Sequence, residues 1–235
     1  MKIAIMQPYL FPYIGYWQLI NAVDTFVLLD DVNFIKGGWI NRNYILIDNK
    51  PHLITLSLDH ASPNKLIYDI EINQKLNNKR KILNTLKMSY SKAPEYEKVY
   101  PLLETIINNE EKNLSEYIEF SIRLLCDYLR IPTKIINSSS LNKDDSKKAQ
   151  DRVIEICKVL NAKTYINSFG GIDLYDRQTF QKNEIELKFI KPKAFKYEQF
   201  NSEFVASLSI IDIMMFNKVN KISDFLRNYE FIEKN

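Results

Sequence analysis

The opening of the chain, MKIAIMQPYLFPYIGYWQLINAVDTFVLLDD, restricts the fold more than any other stretch. Lys2–Met6 reads as an apolar strand, Gln7-Pro8-Tyr9 as a tight turn, and Tyr13–Ala22 as a helix with Ile14, Trp17, Ile20 and Ala22 as its apolar stripe. Thr25–Leu29 reads as a second strand, ending in Asp30-Asp31. Two strands joined through a helix pair in parallel, so this start commits the chain to a mainly parallel α/β sheet. In such sheets ligands bind outside the carboxyl ends of the strands. Gln7 and the Asp30-Asp31 pair stand at two such ends.

The remaining pattern fills out that frame. Asn43–Ile47, Leu53–Leu58 and Ile67–Ile72 read as strands, with Asp48-Asn49-Lys50-Pro51 as a turn. A hairpin inserted there is expected to stand over the site as a flap. Lys79–Ser91, Tyr96–Asn109 and Leu114–Leu129 read as helices, with Ser115 near the start of the third. Strands at Thr133–Asn137, Thr164–Asn167 and Leu187–Ile190 then alternate with helices at Lys147–Leu160 and Gln178–Asn183. Ser207–Phe216 and Lys221–Leu226 read as terminal helices. Residues 1–76 are expected to form the first part of an α/β domain with a hairpin insertion, 77–130 a helical lobe, and 131–235 the rest of the domain.

Composition removes several function classes. The net charge of +3 is too small to argue for a nucleic-acid partner. Only 5 glycines are present, which leaves no material for an extended phosphate loop. No apolar run approaches the length of a spanning helix and no signal peptide is visible, so a cytoplasmic protein without an integral membrane segment is expected. Cys126 and Cys157 lie in apolar helical patterns and read as buried reduced thiols. They and the two histidines, His52 and His60, lack metal-ligand spacing, so no metal and no cofactor is expected. Whether the chain forms a homo-oligomer is left open.

Candidate site residues cluster early. Gln7-Pro8-Tyr9 and the helix near Tyr13 offer free N–H groups at a strand end, with Gly15 allowing close backbone approach. Tyr13-Ile14-Gly15-Tyr16 stands where nucleotidylyltransferases and class I aminoacyl-tRNA synthetases carry His-x-Gly-His. Tyrosine donates a hydrogen bond but carries no positive charge, which weakens ordinary nucleotidyl transfer. Lys87–Lys92 imitates the lysine loop of those synthetases, but inside a predicted helix. Asp30 or Asp31 would bind a sugar hydroxyl, orient an amine, hold Mg²⁺, or merely cap a turn. Lys36 and Arg42 suit phosphate or carboxylate, Trp39 suits stacking, and Asn41 and Asn43 flank Arg42. Asn167, Gly170 and Gly171 follow a strand and offer either a backbone N–H nest or a plain turn. Asp212, isolated among apolar neighbours, is expected to have a buried cationic partner.

These residues resemble the WbqC-like protein family. The likeness rests on Met6–Tyr9, Phe11–Tyr16, Asp30-Asp31-Val32-x-Phe34-x-Lys36 and Gly38–Asn43, and extends through Ala93-Pro94, Tyr165–Ser168 with Gly170-Gly171, and Ser207–Asn217. The run Ala93-Pro94-Glu95-Tyr96 departs from an aromatic directly after the proline. The resemblance implies a role in bacterial O-antigen or other surface-polysaccharide synthesis, with an acyl or aminoacyl group transferred to an amino sugar. The expected fold is α/β: a mainly parallel sheet with a nucleotidylyltransferase/HUP-like (Rossmann-like) start, a β-hairpin insertion and a helical lobe. The expected substrate is a nucleotide-linked sugar. Asp31 would be base or amine orienter, with Gln7 and Asn41 holding hydroxyls or the donor. Lys36 and Arg42 would hold diphosphate. The alternatives are a non-catalytic module that binds a sugar nucleotide or partner enzyme, and an ATP-using ligase binding ATP near Gly15.

Overall fold

The computed structural model describes residues 1–200 and 203–232. Its central sheet contains β1 (Lys2–Met6), β2 (Thr25–Leu28), β7 (Lys134–Asn137), β8 (Thr164–Ser168), β9 (Glu186–Pro192) and β10 (Tyr229–Ile232). The order is β10-β9-β8-β1-β2-β7, parallel except for the edge strand β10. The chain therefore builds outward from β1 through β2 to β7, then returns to the other side of β1 to lay down β8 and β9. That reversal leaves a crevice between the carboxyl ends of β1 and β8, the position at which such sheets bind ligands.

The strand sequences are almost continuously apolar because both faces are covered. Ala4, Phe26, Leu28, Ile135, Ile166 and Ile190 face one core, shared with α1 (Ile14–Asn21), α4 (Leu114–Leu129) and α8 (Val219–Arg227). Ile3, Ile5, Val27, Tyr165, Leu187 and Phe189 face the other, against α5 (Ala149–Val159) and α6 (Arg177–Lys182). The alternation along each strand is the two-residue period of β structure.

Between β2 and β7 come a hairpin, β3 (Arg42–Ile47) and β4 (Lys50–Thr55), a short pair β5 (Leu58–Asp59) and β6 (Glu71–Ile72), and helices α2 (Leu76–Tyr90), α3 (Tyr96–Asn108) and α4. The hairpin turn is the two-residue Asp48-Asn49, both at positive φ (48° and 60°), the backbone that suits strand twist. Pro51 thus lies in β4, not in the turn. Ile67–Asp69 forms a 3₁₀ turn instead of a strand. Asn113, not Ser115, caps α4, accepting from the N–H groups of Ser115 and Glu116. The terminal helix before α8 is shorter than its apolar run: α7 spans Ile210–Phe216, and Ser207 sits before it at positive φ (60°). Ser209 caps it. Strand β10 is only four residues long, Tyr229–Ile232, and joins as an edge against β9.

Candidate functional site

The turn after β1 is held from outside rather than by its own hydrogen bonds. Phe11 adopts φ 46°, and its carbonyl accepts from Asn43 Nδ2 (2.5 Å) and Ser209 Oγ (2.8 Å). The Pro12 carbonyl accepts from Trp17 Nε1 at 3.0 Å and from the Ile210 N–H. The Gln7 carbonyl accepts from the Tyr16 hydroxyl at 2.9 Å, and the Leu10 N–H donates to Ile40 O. Two prolines and a left-handed phenylalanine leave few local partners for this backbone, so side chains of α1 and β3, the Ser209 cap of α7 and the backbone of Ile40 and Ile210 supply them.

This braced turn forms one wall of a cavity of about 610 Å³ at the β1/β8 crevice. A volume of that order suits a small-molecule ligand. Gln7, Tyr9, Tyr13, Gly15 and Tyr16 line it from the first strand and helix, Trp39 from the lead-in to the hairpin, and Asn167, Gly170 and Gly171 from the β8 end. The lead-in, not the hairpin itself, overhangs the cavity. Tyr9 sits edge-on to Tyr16, with ring centroids 5.9 Å apart, and next to Trp39 at 6.3 Å, so the wall is aromatic. The mouth is apolar: Ile35, Trp39 and Leu174 are 53%, 50% and 71% exposed.

No Lys, Arg, His, Asp or Glu lines this cavity among the described residues. Its titratable groups are tyrosines, and burial pushes the hydroxyls of Tyr9, Tyr13 and Tyr16 above the ordinary tyrosine range. They are neutral hydrogen-bonding groups, not phenolate bases. The Gln7 side-chain amide has no hydrogen-bond partner among the described residues and is available to a ligand. Asn167 accepts from the Ser168 N–H at 2.7 Å and bonds Tyr175, whose hydroxyl is 3.0 Å from that of Tyr165.

The glycines behave differently from one another. A Cβ on Gly15 would stand 2.6–2.8 Å from the ring and hydroxyl of Tyr13, so the space beside the helix terminus is filled by that ring. A Cβ on Gly171 would meet Asn167 Nδ2 at 3.0 Å. At Gly170 the nearest atom is Ser168 Oγ at 4.0 Å, which leaves that backbone open.

The other expected residues stand outside the cavity lining. Asp30 is buried and accepts from Ser115 Oγ (2.9 Å), Ser139 N–H (2.9 Å) and Ser139 Oγ (2.7 Å). It ties β2 to the start of α4 and the end of β7. Asp31 pairs with Lys143 Nζ at 2.6 Å and Arg152 at 3.5 Å, and Arg152 also donates to the Asp31 carbonyl at 2.8 Å. Lys143 is buried with it, its side chain 2% exposed. Asn41 donates to Leu56 O at 2.7 Å, and Arg42 Nε to Gly38 O at 2.8 Å, bracing the loop that carries Trp39. Lys36 is exposed on that loop, between lining residues Ile35 and Gly38. Asp212 has no cationic partner among the described residues: Tyr90 (2.8 Å), Tyr197 (2.6 Å) and Gln199 (2.6 Å) donate to it.

Sequence reasoning missed Leu174 and Tyr175, which reach the cavity through a 3₁₀ segment (Phe169–Leu174), and the cations Lys143 and Arg152. The Gly170-Gly171 turn was the only signal for the first pair. Nothing local marks the second.

Comparison with known proteins gives two matches. A family model described as the WbqC-like protein family matches residues 7–224. The uncharacterized protein Rv1507c of Mycobacterium tuberculosis is 26% identical over 233 residues, which is 96% of this chain and 97% of that protein. No solved structure matches.

Proposed function

Because the chain belongs to the WbqC-like protein family, we propose that it binds a nucleotide-linked amino sugar in the β1/β8 cavity and acts as its acyl- or aminoacyl-transferase. The setting is cytoplasmic synthesis of a bacterial surface polysaccharide. The observation that carries this reading is the convergence of Gln7, Tyr9, Trp39 and Asn167 on one cavity at the topological switch point. Aromatic faces suit a base or the apolar face of a sugar, and the amides suit hydroxyls. Lys36, exposed on the overhanging loop, suits the diphosphate outside the cavity.

The transfer fits a site without an acid–base pair if the acyl group arrives activated. The sugar amine attacks the donor carbonyl, a carbon–nitrogen bond forms, and the carbon–oxygen or carbon–sulfur bond to the carrier breaks. The amine proton leaves to solvent or to the departing group. A good nucleophile and a good leaving group need positioning above all. Asp31 as the base would first have to leave Lys143 and Arg152, so the ion pairs favour a positioning role for it.

Incubation with nucleotide-linked 4-amino sugars and a panel of acyl and aminoacyl donors, read by mass spectrometry, tests the reaction. Calorimetry with the same sugars tests the site, with Tyr9→Ala and Trp39→Ala weakening binding. No affinity for any nucleotide-linked sugar would sink the proposal. A second reading, a binding protein without chemistry, is favoured by the lack of ionisable lining groups. It predicts wild-type binding with no product from any donor. The ATP-ligase reading has less support, since the Tyr13 ring fills the space beside Gly15.

A further inference from the structure

A second cavity, also of about 610 Å³, lies between the hairpin tip, α2 and Phe200. Leu46 and Phe200 give it an apolar floor, and Met88, Lys81, Lys92 and His52 stand around it. Lys81 stands on α2 and Lys92 in the turn that follows it, and both line the cavity. Met88 lies between them and is 84% exposed. One carboxylate, Asp48, also lines the cavity, yet neither lysine is ion-paired among the described residues.

The surroundings make this charge unusual. Between Ile72 and Glu95 the chain carries Lys75, Lys79, Arg80, Lys81, Lys87 and Lys92 and no acidic residue. The net charge of +3 hides this local concentration. In α4 and α8 an arginine is neutralised within its own helix, by the pairs Arg123–Glu119 and Arg227–Asp224. The helix dipole explains cations near the end of α2, and Lys79 is buried and donates to Gln74 Oε1 and the Asn109 carbonyl, but the dipole disfavours Arg80 and Lys81, which lie near the start with no acid in the first turn. Local stability therefore does not account for them.

We infer that this cavity is a second ligand site, taking a phosphate ester with an apolar body. Lys81 and Lys92 supply the positive charge that attracts the phosphate, and Met88 and Phe200 cover the apolar part. The site is independent of the β1/β8 cavity, with which it shares no lining residue. The ester is either a soluble metabolite or a lipid headgroup, and both offer the same chemistry.

Octyl phosphate, below its micellar concentration, and inorganic phosphate are the probes, titrated calorimetrically at low ionic strength. Octyl phosphate is expected to bind about tenfold or more tightly than inorganic phosphate. Met88→Asp removes that advantage, and the double variant K81E/K92E weakens both by about tenfold or more. Lys158→Glu, an exposed change on α5, leaves both unchanged. Thermal melting confirms that the exposed-site variants fold. Sedimentation with phosphatidylcholine vesicles containing phosphatidic acid identifies the source. Capture sensitive to K81E/K92E assigns a lipid headgroup, and octyl phosphate binding without capture assigns a soluble ester. Absence of binding in both assays, or equal binding by K81E/K92E and wild type, overturns the inference.

Discussion

At the scale of single residues, the same polar side chain serves a ligand or the backbone, and its surroundings decide which. Asn41 and Asn43 sit in a dense polar run, yet each donates to a main-chain carbonyl that has no local partner. Gln7 is less conspicuous in the sequence and has its amide free at the cavity. Gly15→Ala tests the neighbouring wall. Its Cβ would push the Tyr13 ring toward the cavity, while alanine favours the helix by about 1 kcal/mol. Melting is expected to change little, whereas calorimetric affinity for a nucleotide-linked sugar falls. Asp31→Asn should behave in the opposite way. It leaves Lys143 buried with only the exposed Asp145 for charge, a loss of about 3–5 kcal/mol by the precedent of broken buried pairs. Urea unfolding of the variant checks this, and unchanged stability would mean that the pair is dispensable.

At the scale of elements, Asp212 joins pieces that the sequence keeps far apart. It lies on α7 and accepts from Tyr90 of α2, while the Tyr90 hydroxyl accepts from the Leu46 N–H of β3. Tyr197 and Gln199 bring in the segment after β9. Burial raises the Asp212 carboxyl above the ordinary aspartate range, and the hydrogen bonds from Tyr197, Gln199 and Tyr90 offset part of that rise. A carboxyl raised in the folded state binds more protons folded than unfolded. Its contribution is therefore fully present below the ordinary aspartate value and declines as pH rises through the raised one. Asp212→Asn is expected to cost about 1–3 kcal/mol in acid, because an amide N–H₂ faces two donors. Urea unfolding across that pH window should show the gap to wild type narrowing as pH rises. A gap that widens instead would mean that the ionised carboxylate is the form the fold prefers.

At the scale of the whole molecule, both faces of one sheet are buried, and the two cysteines report on them. Cys126 belongs to the core under α4 and Cys157 to the core under α5. Burial pushes each thiol up to about 12, so neither is a reactive thiolate near neutral pH. Labelling with a thiol reagent should be negligible in the native protein and appear only with unfolding, in both halves together. Rapid native labelling of one cysteine would show that its face opens locally. The parallel sheet and most of its helices were legible because period and crossover length are local properties of the chain. So was the placing of the first turn at a strand-end crevice, where the structure has a cavity, since β-α-β geometry fixes where strand ends point. The strand reversal after β7 was not legible, and it alone puts Asn167, Gly170 and Tyr175 opposite Gln7. Nor was the fate of Asp31, whose partners arrive from a distant loop and helix. By itself the sequence determined most of the elements and the end of the sheet at which the cavity opens, because those follow from neighbours along the chain. Only the tertiary structure decided which polar groups are free, because that depends on hydrogen-bond partners brought by folding from remote segments.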